Sequence, residues 1–173
     1  MKKQNTEYFQ LRDQIDQLTG KLSSLHQNQM QCKKGCDLCC MNYNIFPIEF
    51  HAIKEQLKKQ AVVNSRVANE NECVFLIDHE CQIYENRPVI CRTHGLPLLF
   101  MNDEQWELSA CELNFTTFDD EDFDTENTYP QDKFNSKLFI LNKNFIKENN
   151  LPYSEFDLIP LRMLAQDDET LKA

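Results

Sequence analysis

The sequence predicts a mainly α-helical domain with one small β-hairpin, a single unit centred on metal and carrying an N-terminal helical arm. Three observations predict it. Apolar residues recur at steps of three and four over residues 5–30 and again over 134–145, the period of a helix with one buried face. Alternating apolar residues flank a short polar break at 78–80, the period of paired strands. Eight of the 173 residues are cysteine, and four of those fall in the run Cys32–Cys40. A chain of this length forms one domain and buries roughly 70% of its unfolded surface without covalent staples.

The first element is a helix over residues 5–30. Tyr8, Leu11, Ile15, Leu18, Leu22 and Leu25 form an a/d stripe among Gln, Asp, Lys and Ser. Such a stripe packs on its own domain; the alternative is a short coiled-coil arm joining two copies or a partner protein, although three heptads are marginal alone. The same register, continued past Gln29, passes through Cys32, Cys36 and Cys39. Gly35 weakens a helix there, which favours a ligand-bearing loop.

Pro47 suits a first helical position, and Ile48, Ala52, Ile53 and Leu57 carry the stripe to about Gln60. Residues 61–71 connect. Residues 72–77 and 81–84 read as a hairpin turning at Asp78, His79 and Glu80. A three-residue turn makes Ile77 face Cys81 and puts Cys73, Phe75, Ile77, Cys81 and Ile83 on one face. Pro88 starts a helical turn that Gly95 or Pro97 ends, with Cys91 and His94 on one side. Residues 96–100 read as a short strand and 112–130 as a solvated acidic loop. Phe134, Leu138, Leu141 and Phe145 mark a later helix closed by Asn149 and Asn150. The apolar segment from Phe156 to Leu164 docks on the core before a frayed tail. Four regions follow: a helical arm at 1–30, a cysteine core at 31–115, an acidic loop at 116–130, and a helical region at 131–173 packing on the core.

Composition excludes several classes of function. The three glycines are far apart, so neither a G-x-G-x-x-G turn nor a P-loop exists. Formal net charge is −10, and residues 101–129 hold ten acidic side chains and no Lys or Arg. That surface repels phosphate, which argues against nucleic acid as a partner. The start MKKQNTEYFQLRDQ lacks the apolar core of a signal peptide. No run approaches the ~20 apolar residues of a membrane span. The expected place is the cytoplasm, where clustered cysteines serve as metal ligands or redox groups rather than as disulfides.

The candidate ligands are Cys32, Cys36, Cys39, Cys40, Cys73, Cys81, Cys91 and Cys111. Thiolates are soft, charged donors that suit zinc, iron and iron–sulfur clusters. Close spacing supplies several ligands from one stretch of chain, and distant cysteines close the shell. Buried apolar thiols explain a lone Cys and not this clustering. In a regular hairpin Cys73 and Cys81 stand roughly 13 Å apart, whereas two ligands of one zinc lie within about 4 Å. Eight thiolates also exceed one tetrahedral shell. These counts favour a polynuclear cluster with spare thiols, or two separate sites. Lys33, Lys34, Arg87 and Arg92 stand beside candidate ligands and are placed to offset thiolate charge. Their other reading is surface ion pairing for the arginines and solvation for the lysines.

Two blocks carry a family resemblance. The run Cys32-Lys-Lys-Gly-Cys36-Asp-Leu-Cys39-Cys40 resembles the opening motif of the YkgJ-like CxxCxxCC family. Cys73-Val-Phe-Leu, followed by Cys81-Gln-Ile-Tyr84-Glu-Asn-Arg87-Pro88-Val-Ile-Cys91-Arg92, is similar to that family's C-x-F-L … C-x-I-Y-x-x-R-P-x-x-C-R pattern. Cys111 resembles the last family cysteine. Val74 departs from it where many members carry proline. The resemblance covers residues 32–111 and implies metal binding, with zinc or iron left open. Flagellin lysine methylases resemble the same cysteine block and are associated with an Fe–S cluster and S-adenosylmethionine. This chain shows no separate region for that cofactor, so the activity does not carry over.

The expected function is a cytosolic metal-binding protein holding an Fe–S cluster or iron, with zinc as the alternative cofactor. The other classes are a cluster-dependent enzyme (redox or methyl transfer) and a structural zinc module for protein interaction. Competing sites are weaker. The C-x3-C-x2-C spacing also occurs in radical S-adenosylmethionine enzymes, but too little chain follows for their barrel. Asp120, Asp122 and Asp124 suggest a calcium loop, yet Thr125 and Gln131 stand where it needs glycine and glutamate. His94 reads as a ligand or as a donor to one, His79 as exposed, and His26 and His51 carry no site signal. A Cys91–His94 nucleophile pair is less economical than ligation. Trp106 is expected in the core or as a lid near Cys111.

Overall fold

The computed structural model describes residues 2–32, 35–60 and 63–166. Lys33, Lys34 and the tail beyond 166 lie outside the described residues. The elements in chain order are α1 (Lys2–Leu25), β1 (Asn44–Ile45), α2 (Pro47–Leu57), β2 (Leu76–Ile77), β3 (Glu80–Cys81), α3 (Val89–Thr93), β4 (Leu98–Asn102), β5 (Gln105–Ser109), β6 (Tyr129–Pro130), α4 (Gln131–Glu148) and β7 (Ile159–Pro160). Short 3-10 turns occupy Tyr84–Asn86, Asp120–Asp122 and Leu161–Ala165. Helices supply most of the regular structure. Strands are nonetheless more numerous than the sequence predicts, forming three small sheets among the described residues.

Helix α1 buries Tyr8, Leu11, Ile15 and Leu22 against α2, α3 and α4. It ends earlier than its periodicity predicts, because tertiary contacts stop it. His26 turns inward, its Nε2 2.7 Å from the carbonyl oxygen of Asn127. Its ring packs on Phe115, Phe118 and Phe123. Residues 26–29 therefore form a turn, Leu25 is left 57% exposed, and the first cysteines arrive on a loop instead of on the helical stripe. The acidic segment behind this contact is thus anchored by aromatics. Its Asp119 and Asp122 cap each other across the 3-10 turn.

Helix α2 begins with Pro47 at its first position, as expected. Helix α4 ends in a glycine-free version of the familiar C-terminal lock. Asn150 adopts φ 50°, and the Leu151 N–H reaches back to the Ile146 carbonyl.

Two hairpins correct the sequence reading. Asp78 and His79 both have positive φ, 50° and 62°, so the first hairpin closes through a two-residue turn of the type that matches strand twist. Leu76 then pairs with Cys81 and Ile77 with Glu80. The predicted pairing of Ile77 with Cys81 is off by one residue, because Glu80 belongs to the strand. The second hairpin, β4–β5, turns in the same way at Asp103 and Glu104. Strand β5 is an edge in the order β5-β4-β6. It leaves Trp106 65% exposed opposite Met101, so the tryptophan is neither core nor lid.

Two apolar cores result. One joins α1, α2 and α4 through Tyr8, Ile15, Leu22, Ile48, Leu138 and Phe145. The other holds Ile45, Phe50, Ile53, Phe75, Ile83 and Leu161, with Cys73 inside it and Cys40 and Cys81 against it. The C-terminal segment docks here: β7 pairs antiparallel with β1, burying Ile159, Leu161 and Leu164. Phe156 stays 73% exposed.

Candidate metal centre

Four segments converge on one cavity. The loop after α1 brings Cys32, Cys36, Cys39 and Cys40. The first hairpin brings Cys73 and Cys81, and α3 brings Cys91. These seven thiols line a cavity of about 590 Å³. Cys111, just beyond β5, does not line it but lies close enough to Cys32 to oppose its ionisation.

Backbone pairing explains the convergence. Met41 bridges to Glu72, and the Asn42 N–H donates to the Asn71 carbonyl at 3.0 Å. These contacts lay Cys39 and Cys40 beside Cys73. At the other end Asn114 fastens three strands of chain. Its side-chain oxygen accepts the Gln31 N–H at 2.7 Å. Its Nδ2 donates to the Gly95 carbonyl at 2.7 Å and faces the Cys32 sulfur at 3.2 Å. Gly95 has φ 88°, and a Cβ there would meet Cys32 Sγ at 2.5 Å. Only glycine fits that turn. Asn114 was invisible in the sequence, where nothing but its position three residues after Cys111 marks it.

The hairpin is too short to hold Cys73 and Cys81 apart. Cys73 precedes β2 in a turn closed by the Leu76 N–H on the Cys73 carbonyl at 3.3 Å. Cys73 lies near enough to Cys81 to oppose its ionisation. The extended-strand separation of roughly 13 Å therefore does not apply. Backbone amides point at these sulfurs: those of Phe75 and Leu76 at Cys73, and that of Ile83 at Cys81. Amide donors of this kind stabilise a thiolate without adding charge.

Burial pushes the Cys32, Cys73, Cys81 and Cys91 thiols up, and neighbouring thiols raise Cys32, Cys81 and Cys91 further. Cys39 and Cys40 share a hydrogen bond, which pulls Cys39 down and pushes Cys40 up. A proton-bearing Cys91 is a poor nucleophile, which disfavours the Cys91–His94 pair. A cation among these sulfurs reverses the balance, since it favours the thiolates that repel one another without it. The donor set therefore fits a thiophilic metal. Among the described residues no three Cys, His, Asp or Glu side chains yet converge into a closed coordination shell. The cavity gathers the donors without closing a shell around one point.

The surroundings are charged and hydrogen-bonded. Arg87 lines the cavity and lies 3.7 Å over the Tyr84 ring. Arg92, 7% exposed, bonds the Glu85 and Arg87 carbonyls and both oxygens of Asp16, the latter at 2.6 and 2.7 Å. Tyr43 donates to the Cys39 carbonyl at 2.8 Å, and its ring sits 5.1 Å from that of His94. His94 lines the cavity with an unpartnered Nε2. His79 lines it too, held by Asp37 at 2.8 Å and otherwise exposed.

No helix among the described residues is long and apolar enough to cross a membrane. No curated protein and no solved structure matches the chain. One family model does, that of CxxCxxCC, described as a "putative zinc- or iron-chelating domain", over residues 31–133. The match takes in all eight cysteines and Asn114, and spans more than half of the sequence. The chain belongs to this CxxCxxCC family of zinc- or iron-chelating domains.

Proposed function

We propose that the protein is a cytoplasmic iron-binding protein that holds an Fe–S cluster through the convergent cysteines. The observation that carries this reading is the single cavity of about 590 Å³ lined by seven thiols. One zinc needs four donors at about 2.3 Å, and both the donor count and the space exceed that. Cys32, Cys36, Cys39, Cys40, Cys73, Cys81 and Cys91 line the cavity and are the candidate ligands, and Cys111 lies next to Cys32. A bound cluster would supply one-electron chemistry or a Lewis-acid site. The chain's own part is to exclude water with Leu76, Ile83 and Leu96, which line the same cavity, and to offset thiolate charge with Arg87, since Arg92 is already paired with Asp16.

Anaerobic purification tests this directly. The expected sample is brown, absorbs near ~400 nm, and contains iron with acid-labile sulfide. A colourless sample with about one zinc and no sulfide assigns the site to structural zinc instead. Cys36→Ser and Cys39→Ser should each abolish metal loading.

A further inference from the structure

Helix α3 separates two cavities. Cys91 and Arg92 line the cysteine cavity, Val89, Ile90 and Thr93 line a second one, and His94 lines both. The second cavity measures about 770 Å³, within the usual range for small-molecule sites. No cysteine lines it, so the metal reading leaves it unexplained.

Its walls are mostly apolar, with Phe46, Leu138 and Phe139 as the broad surfaces. Two of its polar groups are unmet. Tyr129 is 1% exposed, and its hydroxyl has no hydrogen-bond partner among the described residues. The ring cannot easily turn away, because it stacks on Phe134 at 5.1 Å and its backbone is paired to β4. His94 Nε2 is equally unpartnered. A buried hydroxyl without a partner is uncommon in folded proteins. Glu49 offers little to a ligand, since its Oε1 already accepts the Val89 N–H at 2.9 Å and the Tyr8 hydroxyl at 3.4 Å. No Lys or Arg lines the cavity, which disfavours an anion. Ile140 and Leu158, on the lining, are 57% and 49% exposed, an apolar rim of the kind an entering apolar body covers.

We propose that this cavity binds a neutral aromatic small molecule with one polar end group, which hydrogen-bonds the Tyr129 hydroxyl while its rings lie on Phe46, Leu138 and Phe139. The ligand then sits against the wall of the cysteine cavity, and only that adjacency rests on the iron reading above.

The test is a titration of the full chain with 1-naphthol and with naphthalene, followed by probe fluorescence, with metal and sulfide measured on the same samples. The expected result is saturable one-site binding, with 1-naphthol about fivefold tighter, the value of one hydrogen bond. Tyr129→Phe keeps the ring and should erase that preference while leaving naphthalene unchanged. Ser136→Trp, at an exposed α4 position on the lining, should weaken both probes. Absence of saturable binding, a preference that survives Tyr129→Phe, or binding indifferent to Ser136→Trp overturns the proposal. Intact naphthol binding in a sample without iron and sulfide supports this site and overturns the cluster reading alone.

Discussion

The two apolar cores differ in what holds them. The helical one rests on long elements: α1 and α4 contribute whole stripes of buried Tyr, Phe, Leu and Ile. The cysteine one shares only α2, through Phe50, Ile53 and Leu57, and otherwise rests on strands of two residues, β1, β2, β3 and β7, joined by turns. Isolated pairs that short are unstable in water. Its interior includes thiols whose neighbours oppose ionisation. The difference teaches that the helical half is held by burial along long elements, while the cysteine half has less regular structure around its buried residues and gathers its sulfurs there.

Metal removal is the strongest way to break that comparison. A structural thiolate site can supply on the order of 10 kcal/mol of folding energy. Chelation should collapse hydrogen-exchange protection across β2, β3 and α3 while α1 and α4 stay protected. Uniform loss across both halves would make them one cooperative unit. Loading should itself strengthen as pH rises, since the raised thiols must shed protons before they bind.

Phe145→Ala probes the other half. Phe145 is fully buried, and the truncation should cost about 3–5 kcal/mol in urea unfolding, by the same amount with or without metal.

Glu49 lies between the halves, and burial lifts its carboxyl from 4.5 to about 7. The folded state thus keeps a proton that the unfolded state releases. Stability should fall as pH rises from about 4.5 to about 7, by about 3 kcal/mol, then level off. Glu49→Gln can still accept the Val89 amide and should flatten that slope, read as urea midpoints across the range.

Asp16→Ala strands the buried Arg92 guanidinium where α3 meets α1. The expected loss is about 1–2 kcal/mol, reduced because Asp16 is partly exposed. Leu25→Ser should change stability by less than about 0.5 kcal/mol, since the side chain is in water. A larger effect would mean that this end of α1 is covered in solution.

The helical half was largely legible in the sequence. The stripes of α1, α2 and α4 follow the 3.6-residue period, and Pro47 marks its boundary. What stopped α1 was not legible, because the His26 contact with Phe115, Phe118 and Phe123 joins residues far apart in the chain. The cysteines announced a site through spacing alone. Their arrangement did not follow, since Asp78-His79 and Asp103-Glu104 form tight turns usually written with Asn or Gly. A one-residue error there changed the register and the apparent gap between Cys73 and Cys81. Asn114 and the double exposure of His94 belong to tertiary geometry, and no local pattern encodes them.

The pairing of β1 with β7 sets an order of assembly. Asn44 finds its partner in Pro160, so that edge cannot close until residue 160 has been made. Asn114, which clamps Cys32, also emerges after all eight cysteines. The segments that carry the sulfurs are therefore made before the residues that fasten them.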